Sequence, residues 1–232
     1  MRSAVSEIDQ PLRSQDGRLV LVADVVLDCQ EDLVSSLGAR HRQLSDAELV
    51  LAAYERWGEQ CLAHLSGEFA FALADQRRGG VLLARDQLGS RPLVLHEGPG
   101  QVSFATTAMA VADLPGVGHE LDEGRVAEWL AFVMNSEATF VRGTALLSQG
   151  HSVWVDERGS RRQRYWHLDP DRIVDLGSPE AHALALRAAM DQAVARRLPS
   201  HGEVGVLLSG GLDSTSVAAT AARLLDPGPV RT

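Results

Sequence analysis

Residues Val204 to Ser214, reading Val-Gly-Val-Leu-Leu-Ser-Gly-Gly-Leu-Asp-Ser, carry the most chemistry in this 232-residue chain. The apolar or small run Val204-Gly205-Val206-Leu207 predicts a buried parallel strand, Ser209-Gly210-Gly211 a sharp turn, and Ser214–Leu225 a helix. Strand, glycine turn and helix N-terminus together make an anion site. Glycines let the backbone approach a phosphate, and the first helical N–H groups, lacking intrahelical partners, point at it. Leu207, Ser209, Gly210, Gly211, Leu212, Asp213 and Ser214 are therefore the candidate cofactor-binding residues. A carboxylate among them would repel a phosphate unless a divalent cation lay between, so the set asks for a Mg²⁺–polyphosphate ligand with Asp213 on the metal. The spacing fits neither the Walker loop nor the dinucleotide fingerprint.

Stepping upstream, Ser178-Pro179-Glu180 predicts the start of a helix to about Leu198 that leads into this motif. His167–Gly177 reads as a linker, which places a domain boundary near residue 170: 1–169 and 170–232. Before it, Arg18–Leu27 reads as a strand, and Ser45-Asp46-Ala47-Glu48 as a capping box opening a helix to Trp57, ended by Gly58. A short helix through Gln60–His64 follows. Then Glu68–Ala74, Val81–Arg85, Pro92–His96 and Val102–Thr106 have the pattern of an antiparallel meander. Asp122 caps a helix to about Met134 with Val126, Trp129, Leu130 and Val133 on one face, and Ser152–Val155 and Gln163–Trp166 form a hairpin. The first part is α+β with antiparallel strands, and the second begins as α/β.

Composition excludes several classes. The net charge of −9 argues against nucleic acid or an anionic membrane as partner, and no apolar run approaches the roughly 20 residues of a membrane span. Cys29 and Cys61 form no C-x-x-C motif, which fits small buried side chains in a cytoplasmic protein. The eight histidines show no metal-ligand spacing; His64, His96 and His151 read as surface or edge residues, so no zinc site is expected.

Ser209–Ser214 resembles the pyrophosphate loop of the N-type ATP pyrophosphatases. Leu65–Asp75, Leu83–Leu93 (Leu-Ala-Arg-Asp-Gln-Leu-Gly-Ser-Arg-Pro-Leu), Phe104–Thr107 and Gln163–Trp166 are similar, in order, to segments of the glutamine-hydrolysing domain of asparagine synthetases. The resemblance implies an Ntn-hydrolase-like αββα sandwich followed by the start of an α/β ATP pyrophosphatase domain. It also implies ATP and Mg²⁺ as cofactors. Asp46 matches the carboxylate with which that family grips the amine of glutamine. The plainer reading of Asp46 is part of the helix cap, and that of Arg85, Asp86 and Arg91 a turn held by a salt bridge between strands.

Two departures shape the expected function. Met1 is followed by Arg2 and Ser3 rather than by the family's nucleophilic cysteine, and the family's Asn-Gly-Glu segment aligns with Ala23-Asp24-Val25. No catalytic residue is therefore assigned, and glutaminase activity is expected to be lost, as in the β-lactam synthetases and lasso-peptide macrolactam cyclases. Only 55 residues follow Gly177, so a truncated product, a partial sequence or the first half of a split enzyme is expected. The expected activity is ATP-dependent adenylation of a carboxylate and amide formation with an amine. The alternatives are asparagine synthesis from aspartate and a non-catalytic remnant. The implied partners are a small-molecule or peptide substrate carrying a carboxylate and an amine, and a second copy or a separate C-terminal half.

Overall fold

The computed structural model describes residues 9–28, 30–38, 44–98, 101–133, 137–199, 202–225 and 230–231. They divide between two compact units, one within Ile8–Leu168 and one within Asp169–Thr232.

The larger unit is organised by one strand. β3 (Gly67–Asp75, GEFAFALAD) sits inside a six-stranded antiparallel sheet of order β1-β2-β3-β4-β8-β9. The other members are β1 (Leu12–Arg13), β2 (Leu19–Leu27), β4 (Gly80–Arg85), β8 (His151–Asp156) and β9 (Gly159–Arg164). Side chains alternate across a strand. Phe69, Phe71 and Leu73 of β3 enter one core, with Leu49, Val50, Ala53 and Tyr54 of helix α2 (Asp46–Trp57) and Leu33 of α1 (Gln30–Leu37). Ala70 and Ala72 enter a second core with Leu83, Leu93, Leu95, Leu147 and Val153. Large side chains thus face the helices, and small ones let a second sheet approach.

That second sheet has three antiparallel strands, β6 (Gln101–Ala105), β5 (Val94–Gly98) and β7 (Ala145–Leu146), in the order β6-β5-β7. Helix α3 (Ala108–Ala112) packs against β5 and β6. The architecture is the α+β, αββα sandwich of antiparallel sheets that the resemblance implies.

Several expectations hold and several need correction. Ser45 caps α2 in a full capping box, Gly58 ends it at φ +58°, and the expected short helix is 3₁₀, Gly58–Ala63. The β8–β9 hairpin turns at Glu157-Arg158. The four strands read as one meander fall into two sheets, because the chain crosses between layers after Arg85; local periodicity cannot distinguish a hairpin from a crossover. The helix capped by Asp122 is α4 (Glu123–Leu130) and stops short of Met134, which lies outside the described residues. Phe132, at φ +58°, closes it: Phe132 N–H donates to Trp129 O and Val133 N–H to Glu128 O, the bond pair of a Schellman stop. Among the described residues its apolar face is largely open: Trp129 and Leu130 are 60% and 65% exposed, and Trp129 meets the Phe140 ring edge-on at 6.1 Å.

In the smaller unit, α5 (Pro179–Arg197) is capped by Ser178, and β10 (Val204–Gly205) pairs in parallel with β11 (Val230–Arg231). The expected buried strand through Leu207 is corrected: it is two residues long, and Leu207 is 96% exposed because the described residues provide one neighbouring strand and nothing over that side chain. Helix α6 (Leu212–Leu225) starts two residues earlier than expected, so Asp213 and Ser214 lie in its first turn.

Candidate functional site

At the start of α6, Gly210 takes φ +79°, a left-handed conformation that glycine adopts at little cost, and the chain reverses there into the helix. The first helical bond runs from Thr215 N–H to Gly211 O at 3.2 Å, so the N–H groups of Leu212, Asp213 and Ser214 precede it and face the loop mouth. Ser209 N–H donates to Ser214 Oγ at 3.2 Å, and the two hydroxyl oxygens lie 3.0 Å apart. The seven candidate residues Leu207, Ser209, Gly210, Gly211, Leu212, Asp213 and Ser214 thus form one continuous arc, with Leu207 at its outer end. Asp213 is exposed and makes no hydrogen bond or ion pair among the described residues. Among those residues no three His, Cys, Asp or Glu side chains cluster as a metal site. A divalent ion here would take one protein carboxylate and complete its shell with phosphate oxygens and water, a common arrangement for Mg²⁺.

Asp46 lies elsewhere, in the sandwich. It is buried, and its carboxylate accepts from Leu27 N–H at 3.1 Å and from the Gln30 side-chain amide at 2.5 Å. Read as part of the helix cap, Asp46 is the first helical residue after the capping Ser45, and its carboxylate reaches sideways to hold the end of β2 and the start of α1. The aligned Ala23 is engaged as well. Gln10 Nε2 donates to Ala23 O at 2.8 Å, and Ala23 N–H donates to Gln10 Oε1 at 2.7 Å. Gln10 and Gln30 were not foreseen as site residues. Pro11, which has no N–H to give a ladder, was the signal for the first; Gln30 left none.

A cleft of about 270 Å³ opens between the two sheets, lined by Gln10, Asp24 and mainly apolar walls such as Val22, Ala72, Leu93 and Phe104. Arg91 stands near its mouth, bridging Glu68 at 3.2 Å and Asp24 at 3.4 Å. The salt-bridged turn expected of Arg85, Asp86 and Arg91 is corrected too. Buried Asp86 accepts from four backbone N–H groups, those of Phe69, Leu88, Ser90 and Arg91, at 2.9–3.3 Å. The Arg85 guanidinium donates to the carbonyls of Gly89, Arg91 and Leu147. Two side chains thus clamp the crossover between sheets through backbone rather than through each other.

Cys61 is fully buried, and desolvation first, then the nearby Glu59, pushes its thiol up to about 12. It stays protonated and is no nucleophile. Cys29 lies outside the described residues. His64 is exposed, and His96 and His151 are half-buried.

A family model of the glutamine amidotransferase domain matches residues 3–166, and one of asparagine synthase matches residues 185–232. The chain belongs to the asparagine synthetase family, with an amidotransferase domain. Within that family, asparagine synthetase [glutamine-hydrolyzing] 3 of Bacillus subtilis is 31% identical over 199 residues, covering 83% of this chain and 32% of the relative. Amidase chyE of Penicillium rubens is 30% identical over 231 residues, covering 95% of this chain and 33% of the relative. The chain therefore spans about a third of the length of the curated relatives it matches. Among solved structures, the glutamine phosphoribosylpyrophosphate amidotransferase from B. subtilis aligns over 96% of this chain and 48% of that one, at 19% identity and a TM-score of 0.47. No helix among the described residues is long and apolar enough to cross a membrane.

Proposed function

We propose that this asparagine-synthetase-family chain contributes the pyrophosphate loop to an ATP-dependent, amide-forming synthetase whose amidotransferase domain does not hydrolyse glutamine. The observation that carries the reading is the Ser209–Ser214 arc, where helix N–H groups, two hydroxyls and an unpaired Asp213 carboxylate converge. Bound ATP·Mg²⁺ would supply an electrophilic α-phosphorus, so that a substrate carboxylate displaces pyrophosphate and an amine then displaces AMP from the acyl-adenylate. The chain's own part would be to hold the leaving pyrophosphate: N–H dipoles at the start of α6 would offset its charge, and Asp213 would supply a carboxylate ligand to the metal.

The loss of glutaminase is supported by Asp46 and Ala23, whose polar groups bond to Leu27, Gln30 and Gln10 of the same chain, and by the inert Cys61 thiol. An amine already on the substrate, as in macrolactam or β-lactam closure, then replaces ammonia. Exposed Leu207 and Leu212 support a further partner over the loop, a C-terminal half or a second copy of the chain. A cytoplasmic setting completes the reading, supported by the free thiol of Cys61. The second reading, asparagine synthesis with glutamine hydrolysis, is favoured by the name of the Bacillus subtilis relative.

Glutamate release from L-glutamine separates the two, since sustained release abolishes the first. ATP–pyrophosphate exchange with candidate carboxylic acids, on the chain joined to its C-terminal partner, tests adenylation; no exchange with any acid defeats both.

A further inference from the structure

A second cleft, of about 840 Å³, lies in the larger unit between the 3₁₀ helix Gly58–Ala63 and the edge strand β9. Neither the pyrophosphate loop nor the inter-sheet cleft uses it. Its walls hold three guanidinium groups, Arg78, Arg161 and Arg164, against one carboxylate, Glu59. This is a locally positive cleft on a chain whose net charge is −9.

The positive groups are held in place. Glu59 accepts from Arg78 Nη2 at 2.7 Å and from Arg161 Nη2 through both oxygens at 2.9 Å. Arg78 also lies 4.0 Å from the centroid of the Trp154 ring. One carboxylate thus orients two guanidinium groups while neutralising one charge. Two further acids lie nearby without lining the cleft: Asp75 accepts from Tyr54 Oη and from the Arg77 and Arg78 N–H groups, and Asp156 accepts from Trp154 Nε1 and the Arg158 N–H while also feeling the charge of Arg161. Arg164, exposed, uses only its Nε, on Trp166 O, among the described residues. On the opposite wall Trp57 and His64 stack at 4.1 Å and 16°, with His64 exposed at the outer side.

Fixed guanidinium groups facing a stacked aromatic pair across a cleft of ligand size are suited to a molecule with a flat ring at one end and an anion at the other. We infer that this cleft binds a phosphate-bearing aromatic molecule of mononucleotide size, its phosphate on Arg161 and Arg164 and its ring on the His64–Trp57 stack. The site is separate from the pyrophosphate loop and needs no metal.

The test is calorimetric titration of AMP into the full chain with EDTA present, for wild type, Arg164→Gln, His64→Ala and Asp213→Ala. Both Arg164 and His64 are exposed and outside the core, and thermal melts check that each variant folds. The expected result is saturable binding weakened about tenfold by Arg164→Gln, the loss of one charge-assisted contact. His64→Ala weakens it severalfold, Asp213→Ala leaves it unchanged, and added salt weakens it throughout. Adenosine and inorganic phosphate, each lacking one half of the ligand, bind more weakly than AMP. Absence of AMP binding overturns the inference, as does binding indifferent to Arg164 and His64. Loss on Asp213→Ala alone would place the nucleotide in the loop and equally overturn it.

Discussion

Tyr165 donates its hydroxyl to the carbonyl oxygen of Arg85 at 2.6 Å, across 80 residues of chain. The bond joins the end of the sandwich to the point where the backbone leaves β4 for the second sheet. Burial pushes the phenol well above its ordinary value, with Asp86 and Cys61 adding to the shift, so the hydroxyl remains a donor at any physiological pH. Tyr165→Phe keeps the ring and removes the donor. The expected cost is about 1 kcal/mol, one hydrogen bond in a partly buried setting, read from urea denaturation.

Asp86 should matter more. It serves four backbone N–H groups at the crossover, and alanine would strand them in a buried site. A destabilisation of about 3–5 kcal/mol is expected for Asp86→Ala, against about 1 kcal/mol or less for the exposed Asp169→Ala in the linker. Equal melting temperatures for the two variants would show that the crossover does not depend on this carboxylate.

Acid should loosen β9 first. Burial works to raise the Glu59 carboxyl, but hydrogen bonds from Arg78 and Arg161 outweigh it and hold the group below its ordinary 4.5. Burial likewise opposes the hydrogen bonds from Ser160 and Arg162 that lower Glu97. A carboxyl depressed in the folded state contributes stability that is full above its unfolded pKa and is lost as pH falls through the folded one. Because Arg161 and Arg162 point to opposite faces of the same edge strand, protonating both carboxyls frees both faces. Amide exchange in Gly159–Arg164 should therefore accelerate, relative to β3, as pH drops from about 5 toward 3. In the Glu59→Gln/Glu97→Gln double variant the acceleration should be present already at neutral pH and nearly flat in acid.

Cys61 offers a check on burial. A thiol held near 12 carries on the order of one thiolate in ten thousand at pH 8. Iodoacetamide should leave the peptide containing Cys61 unmodified in the native protein and label it fully in guanidinium chloride. Rapid native labelling would refute the closed core around Leu62 and Phe69.

The sequence made the local features legible and left the global ones obscure. The capping box at Ser45, the hairpin at Asp156–Gly159 and the Ser178 cap were readable because each is decided by residues a few positions apart. The crossover after Arg85 was not, since a strand that changes sheets carries the same alternation as one that turns back. The role of Asp86 is hidden for a related reason: an Arg-Asp pair suggests charge pairing, whereas burial at the crossover gives backbone donors the stronger claim on the carboxylate. At the pyrophosphate loop the residue set was legible, because glycine turns and helix starts are local. The burial of its strand was not, because burial depends on neighbouring strands.

The loop itself can be tested at Gly210. Its φ of +79° is one that a side chain resists, although a Cβ there meets nothing within 4 Å. Gly210→Ala should therefore cost about 1–2 kcal/mol of local conformational energy without any clash. That strain is relieved by rotating the turn away from α6, which withdraws the N–H groups of Leu212 and Asp213 from a common ligand. ATP·Mg²⁺ binding should weaken at least tenfold in Gly210→Ala and in Asp213→Ala, but for different reasons. Removing Mg²⁺ should abolish the difference between wild type and Asp213→Ala while leaving the Gly210→Ala defect in place. If the Gly210→Ala defect also vanished with the metal, the backbone N–H groups would have no part in holding the phosphate.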